Sequence, residues 1–330
     1  MNERYLVLGS NSFSGAHFVN HALQQGAEVV GVSRSEEPNP VFLPYRWSGP
    51  ATQFRFHRCD LNHDLSELMD LTRQFRPAYV VNFAAQSMVA ESWDHPEQWF
   101  QTNIVAQVAL HNELRKLPFL QRYVHVSTPE VYGSCRGNVT EEQPFHPSTP
   151  YAVSRAACDL SLRTFQLNYN FPVVSTRAAN VYGPGQRLYR IIPRTILYLR
   201  LGKKIPLHGG GTSVRSFIHI RDVVEGTRLA ALRGEIGDCF HLATPDSLSI
   251  RELVELICRR VGVAFDEAVE VVGERPGKDQ AYLLDTTRAR TRLGWSDSVS
   301  LEEGIKETLA WVDEHLGVLQ HEALEYIHKP

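Results

Sequence analysis

The sequence predicts an α/β fold, a doubly wound parallel sheet joined to a smaller mixed α/β lobe. Three observations carry that expectation. The short β-rich runs of the first half are continuously apolar rather than alternating, as strands covered on both faces must be. Amphipathic stretches of helical length separate them, which implies right-handed βαβ crossovers. The chain has 330 residues, more than one minimal domain at a prior of ~150 residues each.

In chain order, residues 5–8 read as the first strand. Gly9-Ser10-Asn11-Ser12-Phe13-Ser14-Gly15 then forms a turn that opens a helix over 15–25. Further strands are expected at 28–32, 54–57, 79–83, 123–127 and 173–177, with helices at 65–75, 98–117 and 151–169. After Tyr182-Gly183-Pro184-Gly185 the pattern changes to a helix at 191–201, a strand at 204–207, a triple-glycine turn at 209–211, and helices at 248–261 and 301–316. We assign 1–180 to a Rossmann-type NAD(P)-binding domain, with 217–243 returning to it, and 181–330 mainly to a lobe for the substrate.

Composition excludes several classes. Apolar residues at 43% and charged residues at 22% match globular averages, against disorder or a fibrous chain. Net charge is −3 and the 34 Lys and Arg are scattered, so no nucleic-acid footprint is expected. The longest apolar runs, such as 79–85, fall far short of the ~20 residues of a membrane span. The opening Met1-Asn2-Glu3-Arg4 leads straight into a strand, unlike a signal peptide, so a cytoplasmic protein is expected. The 5 cysteines are widely spaced and no CxxC or HExxH occurs, so neither a disulfide framework nor a metal site is expected.

The glycine turn, with Gly9, Asn11, Ser12, Phe13 and Gly15, lets backbone approach a pyrophosphate at a helix N-terminus. A complete version of the motif would have glycine where Ser12 stands. Ser33-Arg34-Ser35 closes the second strand, and a guanidinium between hydroxyls suits a 2′-phosphate, pointing to NADP. A plain surface loop is the alternative. Asp60-Leu61 is expected at the adenine, with a helix-capping aspartate as an equal reading. The most specific signal is Ser127-Thr128-Pro129-Glu130-Val131-Tyr132-Gly133 followed by Tyr151-Ala152-Val153-Ser154-Arg155. Tyr151 and Arg155 stand four apart on one helix face. A phenol of ordinary pKa ~10 acts as a base only where a cation stabilises its phenolate, and Thr128 is placed to bond the reacting oxygen.

With these motifs in order, the chain resembles the extended short-chain dehydrogenase/reductases that act on nucleotide sugars. The resemblance also takes in Asn82-Phe83-Ala84-Ala85-Gln86-Ser87, Asn180-Val181-Tyr182-Gly183-Pro184, Arg215-Ser216-Phe217-Ile218-His219 and Arg275-Pro276-Gly277-Lys278-Asp279. The last stretch is similar to dTDP-glucose 4,6-dehydratases, whereas Gly31 to Arg34 and Ala85-Gln86-Ser87 resemble GDP-mannose 4,6-dehydratases, which use NADP.

The resemblance implies an NDP-hexose 4,6-dehydratase with a tightly bound NAD(P)+, NAD by family habit and NADP by Ser33-Arg34. Tyr151 and Arg155 would serve catalysis and cofactor alike, with Thr128 and Glu130. Ala84 and Ala85 would line the cofactor, and Ser87, Asn180, Arg187, Arg190, Arg215 and Arg275 would hold a nucleotide-diphosphate sugar. A homodimer is implied through the helices at 98–117 and 151–169.

Two positions depart from the family pattern. Pro129 stands where the dTDP-glucose branch has an aspartate, and Arg155 where the family has lysine. Glu130 would then carry the C5 proton to the leaving hydroxyl itself, and an arginine keeps the charge but ends any lysine relay. Two rival functions stay open: an NDP-sugar epimerase or UDP-glucuronate decarboxylase through the same 4-keto intermediate, and a non-catalytic dinucleotide sensor.

Overall fold

The structure, a computed structural model, describes residues 3–49, 52–135, 137–273 and 283–329. Seven strands form the main sheet: β1 (Arg4–Leu8), β2 (Glu28–Ser33), β3 (Phe54–Arg58), β4 (Tyr79–Asn82), β5 (Arg122–Val126), β6 (Val173–Ala178) and β7 (Cys239–Leu242). Their order is β3-β2-β1-β4-β5-β6-β7, and every neighbouring pair is parallel. Chain direction across the sheet reverses between β1 and β4, which opens a crevice at the carboxyl ends there.

The period of two decides which face each side chain serves. Leu6 and Leu8 of β1 join Val30, Val32, Leu68, Leu110 and Leu162 in one core layer, beneath α2 (Leu65–Phe75), α3 (Ala106–Leu114) and α4 (Pro150–Tyr169). Tyr5 and Val7 join Val29, Val81, Phe18 and Val223 in the other, beneath α1 (Phe13–Gln24) and α6 (Ile220–Arg233). A third apolar cluster fills the second lobe, where Ile192 and Ile196 of α5 (Ile191–Arg200) meet Leu253 and Ile257 of α7 (Ile250–Val261) and Ile305 and Trp311 of α8 (Leu301–Glu314). Among the described residues no helix is long and apolar enough to cross a membrane.

Local chemistry explains where elements differ from expectation. The first helix begins at Phe13 because Ser12 caps it, its Oγ accepting from the Gly15 N–H at 3.0 Å. The helix expected over 98–117 is Pro96–Phe100, a π-turn at Gln101–Val105, and α3. That π-turn carries the buried Asn103, whose amide bonds both backbone groups of Gln86, each at 2.9 Å. The helix expected from residue 248 begins at Ile250. Leu248–Ser249 instead pairs antiparallel with Val214–Arg215, and Ser249 forms a capping box with Glu252.

Candidate functional site

The carboxyl ends of the sheet and the second lobe enclose a cleft of about 1130 Å³. At one end the turn has no room for a side chain at either of its two glycines. Gly9 has φ +78°, and a Cβ there would meet the Ala84 nitrogen at 2.8 Å. A Cβ at Gly15 would lie 2.1 Å from the Gly9 carbonyl oxygen. Turn, helix start and the Ala84-Ala85 loop therefore interlock with backbone exposed to the cleft, a cradle that fits a dinucleotide pyrophosphate. Ser12 adds what glycine lacks, donating to the Gly9 carbonyl at 2.7 Å as well as capping α1. The Asn11 N–H reaches Ser33 Oγ at 3.0 Å and its Nδ2 reaches the Ser35 carbonyl at 2.9 Å, which locks the turn to the loop after β2.

Phe13, Ser33, Arg34, Asp60, Leu61, Ala84 and Ala85 all line this end. Asp60 also shapes its own loop, accepting from the Asn62 N–H at 2.9 Å. Arg34 donates through Nη2 to the Lys329 carbonyl at 2.9 Å, a contact from the far end of the chain.

Mid-cleft, Thr128, Glu130, Tyr151 and Arg155 converge. Thr149 caps α4 through the Ala152 N–H with Pro150 in its first turn, which puts Tyr151 at the helix start with its ring 8% exposed. Burial pushes the Tyr151 phenol above its ordinary value, while Arg155, a hydrogen bond with Thr128 and Arg190 pull it back, and Glu130 pushes it up. Arg155 is 2% exposed, and its Nη2 is held by His125 Nε2 at 3.2 Å and the Val126 carbonyl. Behind it Asp159 accepts from Arg177 at 2.7 Å and from Ser127 Oγ at 2.8 Å. Burial opposes ionisation of Asp159, but Arg177, His125 and Arg155 carry its carboxyl well below the usual range. Pro129 starts the short turn Pro129–Tyr132 behind the Thr128 cap, a position where a missing N–H is no loss.

Toward the second lobe the wall holds Ser87, Asn180, Arg187 and Arg190. The Arg187 guanidinium sits 4.4 Å above the Phe42 ring, and burial lowers its pKa from the ordinary value. Arg215 stands between the cleft-lining Ser213 and Phe217, and its Nη1 donates to the Val214 carbonyl at 2.8 Å. On the two-residue strand Val214–Arg215 its backbone is tied to the Leu248–Ser249 edge. Arg275 lies outside the described residues. Sequence reading missed Asn103, Phe42, Tyr189 and the segment 322–329, all at or beside the cleft. Asn103 had a readable signal, the polar series Asn103, Gln107 and His111 spaced four apart and all buried; the others had none.

The family model for GDP-mannose 4,6 dehydratase matches residues 6–308. The chain belongs to that family. The dTDP-glucose 4,6-dehydratase of Streptomyces niveus is 34% identical to this nucleotide-sugar dehydratase family member over 316 residues, 93% of this chain and 92% of the relative. The dTDP-glucose 4,6-dehydratase DesIV from Streptomyces venezuelae, solved with NAD bound, is 32% identical with a TM-score of 0.87, covering 95% of this chain and 98% of that one. The UDP-glucose 4-epimerase of Thermotoga maritima, solved with UDP-glucose, is 26% identical with a TM-score of 0.86, covering 95% and 99%. The dehydratase family member keeps the short-chain dehydrogenase/reductase architecture, an enzyme scaffold that also hosts epimerases.

Proposed function

We propose that this chain is an NDP-hexose 4,6-dehydratase, with residues 1–180 and 217–243 serving a resident NAD(P)+ and the lobe at 181–330 the nucleotide sugar. One observation supports it above all: a buried phenol, Tyr151, bonded to Thr128 and faced by Arg155 and Arg190, stands beside Glu130 in one cleft. Tyr151 removes the proton of the sugar 4-hydroxyl, with Thr128 holding that oxygen. When bound, NAD(P)+ supplies the acceptor for the C4 hydride and the donor that returns it at C6. The C4 ketone acidifies C5–H, Glu130 takes that proton, and the same carboxyl delivers it to the departing C6 hydroxyl. Water leaves, C5 regains a proton from solvent as the hydride returns at C6, the proton Tyr151 took from the 4-hydroxyl is released to balance it, and the product is a 4-keto-6-deoxy sugar nucleotide.

Pro129 cannot share the proton work, so Glu130 performs both transfers. Arg187 and Arg190, with Asn180 and Ser87, grip the diphosphate and sugar; Arg275 joins them in this reading. Ser33 and Arg34 favour NADP over NAD. Val153, Leu160 and Leu167 recur every seventh residue on α4, at 40%, 53% and 68% exposed, an apolar stripe that supports a homodimer formed through this helix. The cytoplasm is the compartment that fits this chemistry.

Pro129 also favours a second reading, diversion of the 4-keto intermediate to epimerisation or decarboxylation. Incubation with dTDP-, UDP-, GDP- and CDP-hexoses, followed by mass spectrometry, tests both. Loss of one water supports the dehydratase; unchanged mass with altered stereochemistry, or loss of carbon dioxide from a uronic acid, replaces it.

A further inference from the structure

After α8 and a short helix at Leu316–Leu319, the chain leaves the second lobe and crosses the cleft. Leu319 is fully buried in the lobe's core and fixes the start of this crossing. From Glu322 to Lys329 the burial alternates, with Glu322, Leu324, Tyr326 and His328 half-buried and Ala323, Glu325, Ile327 and Lys329 exposed. Period two is the mark of an extended segment lying on a surface with every second side chain turned in.

Leu324 packs on the second lobe's apolar cluster, and the other inward residues and two outward ones have polar or ring partners around the cleft. Glu322 accepts from Asn39 Nδ2 at 2.8 Å, and Glu325 pairs with Arg194. The Tyr326 ring meets Tyr189 edge-on at 5.5 Å. His328 stacks on the buried Trp99 at 5.0 Å and 12°, and its Nε2 bonds Gln98 Oε1. The Lys329 carbonyl takes two donors from opposite sides, Gln86 Nε2 at 2.7 Å from the loop after β4 and Arg34 Nη2 at 2.9 Å from the loop after β2. The Lys329 ammonium lies 3.2 Å from Ser35 Oγ. This segment is the strand of chain that ties the substrate lobe to the cofactor loops across the open side of the cleft.

We propose that residues 320–329 form a strap that completes the cofactor site, with Lys329 a cofactor-specificity residue acting beside Arg34 on the ribose 2′-position. It rests on the reading of Ser33-Arg34 as a 2′-phosphate reader. A second cation, its ammonium 3.2 Å from the hydroxyl of the neighbouring Ser35, doubles the positive charge offered to a 2′-phosphate dianion and offers little to a 2′-hydroxyl. Because Lys329 is exposed, its contribution is screened and modest. The strap's backbone spans the two cofactor loops, so it slows escape of whatever lies beneath it.

The test measures equilibrium binding of NADP+ and of NAD+ to the full-length chain by calorimetry, with off-rates by stopped-flow chase. Lys329→Ala is compared with Arg34→Ala and with a chain ending at Leu319. Lys329→Ala is expected to weaken NADP+ about fivefold at low salt and leave NAD+ within about twofold. Ending the chain at Leu319 is expected to accelerate release of both dinucleotides about tenfold or more. Equal effects of Lys329→Ala on the two dinucleotides, or none, overturn the specificity role. A shortened chain that binds more tightly or releases no faster overturns the strap. If Arg34→Ala also fails to discriminate, the 2′-phosphate reading itself falls; if Arg34→Ala discriminates and Lys329→Ala does not, only the proposal for Lys329 falls. Thermal melting of each variant without ligand separates these outcomes from unfolding.

Discussion

Replacing Arg155 by methionine removes the cation on the face of α4 that carries Tyr151, while keeping much of the volume. Residues four apart on a helix stand ~5–6 Å apart. At that separation and an effective dielectric of ~20, one charge acts on another with ~3 kcal/mol, a factor of about 100 in an equilibrium. Burial already raises the Tyr151 phenol, and Arg155 is the largest of the influences that lower it. Arg155→Met therefore lifts the phenol further, with Arg190 and Thr128 still in place. A base must be deprotonated to act, so kcat/KM climbs with pH through the Tyr151 pKa, and in the variant that climb moves up by the same amount. At a fixed pH below the limb, the rate falls about 100-fold. Arg155→Lys keeps the charge and holds the limb close to the parent's. The assay is kcat/KM against pH with a turned-over NDP-hexose, alongside thermal melts to show that each variant is folded. An Arg155→Met enzyme whose limb stays in place, however slow it is, refutes the electrostatic role given to this residue.

Glu130→Gln is expected to lower turnover roughly 10³-fold while cofactor reduction on substrate addition persists, because oxidation at C4 does not use this carboxyl; solvent-deuterium exchange at C5 disappears with it. Gly9→Ala forces a side chain into a φ +78° position 2.8 Å from the Ala84 nitrogen, and dinucleotide affinity and melting temperature both fall, the latter by the equivalent of about 1–3 kcal/mol. Asp159 has a folded pKa below its unfolded value of ~4, so its contribution to stability is complete above that pH and is lost as pH falls toward the folded value. Asp159→Ala strands Arg177 without its carboxylate and costs about 3–5 kcal/mol at neutral pH, read by denaturant titration, and the variant's stability changes less between pH 5 and pH 3. Leu160→Glu with Leu167→Glu turns the species seen by sedimentation from dimer to monomer if α4 is the interface.

The sheet was legible because its strands are buried on both faces and announce themselves as unbroken apolar runs, as Tyr5 to Leu8 do. The grouping of these side chains was legible because Tyr151 and Arg155 share one helix and Thr128 and Glu130 one turn, so spacing along the chain is spacing in space. Arg190 was assigned to the substrate, and its influence on Tyr151 comes from a separate element that no local pattern joins to α4. Arg215 was read from its motif alone, and the two-residue pairing of Val214–Arg215 with Leu248–Ser249 that holds its backbone has no signal in the local sequence. The crossing of residues 322–329 was invisible for a similar reason. Its period-two burial is set by distant surfaces around Trp99 and Gln86, and its own sequence lacks apolar alternation.

The most direct test follows the hydrogen itself. An NDP-hexose carrying deuterium at C4 is incubated with the protein in ordinary water, and the product is analysed by NMR and mass spectrometry. A Tyr151-initiated internal redox cycle predicts deuterium at C6 of a 4-keto-6-deoxy sugar, and none after Tyr151→Phe. Deuterium still at C4, washed into solvent, or transferred equally well without the Tyr151 hydroxyl contradicts it.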